Sequence, residues 1–160
     1  MKRKEQRGFS LIELLIVVAI IGIIAAIAIP NLLKSQQAAR ETAALREVQG
    51  IGTAQLQYSV TKGRGKFASL TELGANQFVD SVMATGNKGG YIYTSDPVSS
   101  DKPPYMYDTT AKPSSIGSFG IGNRSYYSNE ANTVYDADGG EPPTATPQDR
   151  IPKNGKPLSQ

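Results

Sequence analysis

Arg7-Gly8-Phe9-Ser10-Leu11-Ile12-Glu13-Leu14-Leu15 is the stretch on which the reading of this chain turns. A short basic leader ends at a glycine, and an apolar run follows with one carboxylate near its start. Residues 14–29 hold no charge and no strongly polar side chain, and across residues 9–29 only Ser10 and Glu13 interrupt the run. A helix of that length rises about 32 Å, which matches a bilayer core of roughly 30 Å. An ionised Glu in such a segment costs on the order of 2.5–3.5 kcal/mol at the centre and less toward an end. Glu13 therefore needs a partner.

If the chain is cut between Gly8 and Phe9, Phe9 gains a positively charged amino terminus. Glu13 lies four residues on, near that amine on one helix face. The amine of a neighbouring copy is the other candidate. Either pairing answers a charge that is expensive alone in low dielectric. The intermolecular version sets the axial register of a stacked helix bundle.

Gly8, Phe9, Glu13, the apolar run to Ile29 and the following Pro30 resemble the N-terminal segment of the type IV pilins and of the related pseudopilins of type II secretion. The resemblance spans roughly residues 2–57. It implies cleavage after Gly8 by a dedicated prepilin peptidase at the cytoplasmic membrane face, N-methylation of Phe9 by the same enzyme, and assembly through the apolar helix into a helical filament. It implies an α+β fold, in which a long N-terminal helix packs its second half on a small antiparallel β-sheet. It also implies that the segment from Gly22 to Pro30 loses helicity in the assembled filament. Two other readings explain less. A secretory signal cut near Ala26-Ile27-Ala28 leaves Glu13 unexplained, and so does a plain single-pass anchor.

Charge and composition narrow the function classes. The leader holds four of the 17 basic and one of the 14 acidic side chains, so thirteen of each remain beyond it. That balance argues against a general nucleic-acid surface. The basic leader instead places residues 1–8 in the cytoplasm and the C-terminal part outside. The chain has no cysteine, which departs from pilins that close a C-terminal loop with a disulfide, and no histidine, which excludes histidine triads and His-containing zinc sites. It shows no phosphate loop, GxSxG elbow or metal-ligand cluster.

After Pro30 the chain is rich in Ala, Leu, Gln, Glu and Arg, so the helix is expected to run to about Ser59 and to stop at Thr61-Lys62-Gly63-Arg64-Gly65. Ala44, Leu45, Val48, Gly52 and Leu56 give it one apolar face. Gly22 and Pro30 are its weak points, at about 1 and 3 kcal/mol relative to Ala, with a kink expected at Pro30. Beyond it, two short helices are expected at residues 69–73 and 76–84. Strands are expected at residues 91–94, 105–107, 124–128 and 133–135. The division is thus a leader at 1–8, a membrane and assembly segment at 9–30, an amphipathic helix at 31–60, a head at 61–140 and a Pro-rich flexible tail at 141–160.

Seven of the eight tyrosines follow residue 90. Tyr91 and Tyr93 share one side of a strand. The tyrosines either half-bury against the helix or make a contact surface. Asp136-Ala137-Asp138-Gly139 resembles the opening of a calcium loop, with Asn129 and Asn132 as further candidate ligands, but Pro142, Pro143 and Thr144 follow where ligands are expected. A solvated turn without a cofactor is the default. Asn123-Arg124-Ser125 matches a glycosylation triplet that arises often by chance. The expectation is a structural subunit, not an enzyme, made in the inner membrane and assembled with copies of itself into a surface type IV pilus. Its other partners are the prepilin peptidase and the pilus assembly machinery. A pseudopilin of type II secretion and a tethered, non-polymerising binding module are the alternatives.

Overall fold

A computed structural model describes residues 8–99 and 102–158. Most of the leader lies outside the described residues. The chain forms two compact units, the first ending at Ser35 and the second beginning at Gln36. Helix α1, Leu11–Thr61, contributes to both and contains Pro30 without a break in its helical assignment. In the first unit the large apolar side chains from Phe9 to Ile29 are all exposed, so no face of this helix is covered. It is long and apolar enough to cross a membrane.

The second unit is an antiparallel meander packed on the later part of α1. Its strands are β1 Asn87–Lys88, β2 Tyr91–Ser99, β3 Met106–Pro113, β4 Arg124–Asn129, β5 Val134–Asp138 and β6 Lys156–Pro157, paired in sequence order. Long helix and antiparallel sheet make the expected α+β arrangement. Two short helices, α2 Leu70–Ala75 and α3 Ser81–Ala84, bridge α1 and the sheet. Ser69 caps α2 by accepting from the Glu72 N–H, and Asp80 caps α3 by accepting from the Met83 N–H. The second short helix was expected from residue 76. Asp80 takes the capping position instead, and Gln77 adopts φ 65°, which no helix tolerates.

Among the described residues the sheet has six strands where four were expected. β1 was not among the expected strands. Gly89 and Gly90, both at positive φ, form a two-residue hairpin loop that brings Lys88 opposite Tyr91. β2 and β3 run beyond their aromatic starts because Thr and Ser pair across them, with Thr94 bonded to Thr110 and Ser95 to Thr109. The tail, expected to be flexible over residues 141–160, instead docks on its own head over residues 141–158. Pro143 is fully buried, and β6 pairs with Tyr135 and Asp136. Arg150 clamps it: Nε and Nη2 bind both oxygens of Glu130 at 2.7 Å, and Nη2 also donates to Asp108 Oδ1 at 2.7 Å and to the Tyr107 carbonyl at 2.8 Å. The Asn129 amide donates to the Arg150 carbonyl.

The buried residues of α1 include Gln37, Ala44, Val48, Ile51, Gly52, Gln55 and Tyr58, at helical spacing, with Ala54 and Ser59 beside them. Leu56, expected among them, is exposed, and Gln55 lies inward in its place. Gly52 is a close approach of the helix to the head, since a Cβ there would stand 2.7 Å from Asn132 Oδ1 in the β4–β5 connection. Gln55 is fully buried. Its amide donates to the Ala68 carbonyl at 2.6 Å and Ser95 Oγ at 2.9 Å, and its carbonyl accepts from the Ala68 N–H at 3.0 Å. It ties together helix, connecting segment and sheet. Gln55→Leu keeps the volume but orphans two buried backbone groups at about 1–3 kcal/mol each. The thermal midpoint of the full chain in detergent is expected to fall by on the order of 10 °C, and an unchanged midpoint would show that the tie contributes nothing.

Candidate functional site

Gly8, Phe9 and Ser10 precede the first turn of α1, and Phe9 is 85% exposed. The Gly8–Phe9 bond therefore lies outside regular structure, where a protease requires it to lie. Ser10-Leu11-Ile12-Glu13 fits the capping-box spacing, and the Glu13 carboxylate accepts from the Ser10 N–H at 3.1 Å. The sequence reading missed this cap, although the Ser-x-x-Glu pattern that signals it stands in the sequence. It has two consequences. The acid has a local partner at the end of the helix where negative charge is favoured, and one of its oxygens is turned back along the chain to the Ser10 N–H. A new amine at Phe9 would arise one residue from the N–H that Glu13 already holds.

Gly22 and Pro30 both lie within helical backbone. A Cβ on Gly22 would meet nothing within 4 Å, so nothing inside one copy requires glycine there. Pro30 leaves the Ala26 carbonyl without its intrahelical donor. Pro30 thus removes one backbone bond of the helix, and Gly22 adds a residue of low helix propensity before it.

The remaining candidates lie in the head. Asp136 and Asp138 were read as a loop but sit on β5, beside Arg124 of β4. Arg124 Nη1 is 3.4 Å from Asp136 Oδ2, and Nε is 3.9 Å from Asp138 Oδ1. Their nearest cation is thus a guanidinium. Asn129, a further candidate ligand, is buried and spends its side chain on the Arg150 carbonyl and the Ala131 N–H. Among the described residues no three acidic side chains form a group able to hold a metal ion. Ser125 of the glycosylation triplet is fully buried, its hydroxyl donating to the Ala137 and Glu141 carbonyls.

Tyr91, Tyr93, Tyr107, Tyr126 and Tyr127 are buried, so these five build the core rather than a contact surface. Tyr91 and Tyr93 do share the inner side of β2. Their hydroxyls are not all at the surface: Tyr91 donates to the Arg124 carbonyl, and Tyr127 to Asp108. Burial pushes the Tyr126 phenol up to about 12, with Glu41 adding to the effect. None of these phenols ionises near neutral pH.

Residues 3–29 match the prokaryotic N-terminal methylation motif, which is that of the type IV pilins. Over 60 residues the chain is 52% identical to the type IV major pilin protein PilA of Myxococcus xanthus, covering 38% of this chain and 27% of that protein. It is 38% identical over 96 residues to a fimbrial protein of Pseudomonas aeruginosa, covering 58% and 62%. It is 29% identical over 97 residues to the type II secretion system core protein G of Aeromonas hydrophila, covering 58% and 66%. The matched part thus spans less than two thirds of each of these relatives. No solved structure matches the chain.

Proposed function

We propose that this chain, which carries the N-terminal methylation motif of type IV pilins, is the structural subunit of a type IV pilus, processed after Gly8 and assembled through its apolar helix. The observation that carries the reading is the bare first unit. An uncovered apolar helix begins beside an exposed Gly-Phe bond and bears one acid in its first turn. Such a surface is stable only in lipid or against copies of itself. Both environments belong to the life of a pilin, membrane-held first and then polymerised.

Within this reading the peptidase cuts between Gly8 and Phe9 and methylates the new Phe9 amine. The apolar helix holds the mature chain in the inner membrane until the assembly machinery extracts it. Stacked helices then form the fibre core, and Glu13 of one copy binds the Phe9 amine of the next. Gly22 and Pro30 give the core a segment able to exchange helix for extended chain under load. No catalytic residue, metal or cofactor takes part. The similarity to a secretion protein keeps a pseudopilin as the second reading. The 52% identity to a type IV major pilin over 60 residues favours the pilus.

Gly8→Leu tests the processing step. A bulky residue before the scissile bond is expected to leave the precursor uncut, so its intact mass retains residues 1–8. Recovery of the mature mass from this variant would refute the assignment of Gly8. Imaging cells with and without the chain separates the function readings. Long surface fibres that vanish on deletion are expected, and their persistence with secretion lost would favour the pseudopilin.

A further inference from the structure

The connection between β3 and β4, residues 114–123, turns two large apolar side chains to solvent, Ile116 at 56% exposure and Phe119 at 88%. This loop is held. The Gly120 N–H donates to the Gly117 carbonyl at 3.0 Å and closes a turn with Ser118 and Phe119 at its centre. The Ile121 N–H donates to the Ser115 carbonyl at 2.9 Å, and the Gly117 N–H to Asn123 Oδ1 at 3.0 Å. From α1, the Gln37 amide donates to the carbonyls of Gly117 at 2.7 Å and Gly120 at 2.9 Å, and Glu41 accepts from the Asn123 N–H at 2.7 Å. A slack tip would lay its ring on the head. This one keeps Phe119 outward and forgoes about 2–3 kcal/mol of burial.

The anchor point decides what meets that ring. Gln37 stands four residues after Leu33 and eight after Ile29 in the sequence. Once the apolar run occupies a bilayer, the continuous helix keeps Gln37 about 6 Å beyond Leu33 and about 12 Å beyond Ile29, at the outer margin of a headgroup layer about 5–7.5 Å deep. We propose that Phe119 and Ile116 insert into the lipid interface, so that the head has a second membrane contact while the chain is membrane-held. Phe and Ile suit that boundary, where apolar side chains enter about 5–10 Å. Gln37 and Glu41 are the positioning residues, because they hold the turn against the helix end nearest the lipid. The proposal rests on reading residues 9–29 as the membrane span.

The chain has no tryptophan, so each introduced one is a sole reporter. Three full-length variants are compared in bilayers of phosphatidylethanolamine and phosphatidylglycerol, with and without bromine on the acyl chains close to the headgroup. Phe119→Trp tests the loop. Val60→Trp is the exposed control, about 35 Å of helix beyond Gln37. Leu15→Trp tests the span. Phe119→Trp is expected to be blue-shifted and quenched at least twofold more than Val60→Trp. Quenching equal to that of Val60→Trp, with Leu15→Trp strongly quenched, overturns the loop contact and leaves the span standing. An unquenched Leu15→Trp removes the span and the proposal together. A blue shift of Phe119→Trp that grows with protein density without bromine quenching overturns lipid in favour of a second copy.

Discussion

Glu13→Val is expected to leave cleavage after Gly8 intact and to abolish fibres. The sign of this result is informative. Valine removes a charge that costs up to about 2.5–3.5 kcal/mol in a membrane span, so the variant should be held in the bilayer at least as well as the parent. What it loses is the attraction to a neighbour's amine, on the order of 4 kcal/mol at 4 Å for an effective dielectric of about 20. Lost at each contact of the core, that term decides whether copies stack. Glu13→Gln divides two roles that valine removes together. Glutamine still accepts from the Ser10 N–H, as the carboxylate does at 3.1 Å, but offers the amine no charge. If the cap were the function, Glu13→Gln would make fibres. The ion-pair account expects none, and electron microscopy of sheared material with a mass spectrum of the retained subunit reads both points.

Arg150→Ala is expected to release the tail and to destabilise the head by about 2–4 kcal/mol. Removing one partner of a charge cluster leaves the others uncompensated. Here the others are Glu130 and Asp108, with side chains 26% and 30% exposed, so the cost falls toward the lower part of the usual range. Arg150→Lys restores charge without the two-pronged grip and should recover only part of the loss. Trypsin cleavage after Lys153, slow in the parent, should become fast in the alanine variant, and unchanged cleavage would contradict the clamp. The cluster also predicts a pH response. Burial disfavours the Glu130 charge, but the Arg150 guanidinium outweighs it and holds the carboxyl below its ordinary range. A depressed carboxylate contributes fully above its unfolded value near 4.3 and loses that contribution as pH falls through the folded one. Tail protection should therefore weaken in acid below about pH 4, and Arg150→Ala should lack that step.

The first unit was legible in the sequence because lipid imposes a rule that composition alone can satisfy: residues 14–29 are apolar on every side. The capping pair of Ser10 and Glu13 was equally legible by spacing, yet the cost of the acid drew the reading to its charge. In the head, the period of two correctly placed Tyr91 and Tyr93 on one side of a strand. It could not show that Gln37 and Gln55 are among the residues binding α1 to the head, since apolar periodicity passes over amides. Buried amides are recognised only by the carbonyls they meet, here those of Gly117, Gly120 and Ala68. β6 was invisible for a related reason. Two residues, one a proline, carry no strand signal, and Lys156–Pro157 pairs only because Arg150 and the buried Pro143 have already drawn the tail back. Asp136 and Asp138 looked like a loop because Asp and Gly dominate turns. Their pairing with β4 depends on Arg124, twelve residues before Asp136.

A map of the purified fibre tests the central claim most directly. The account predicts that each chain begins at Phe9 and that its terminal nitrogen lies about 3 Å from a Glu13 oxygen of an adjoining copy. A terminal nitrogen paired within its own chain, or Glu13 facing only apolar side chains, would contradict it.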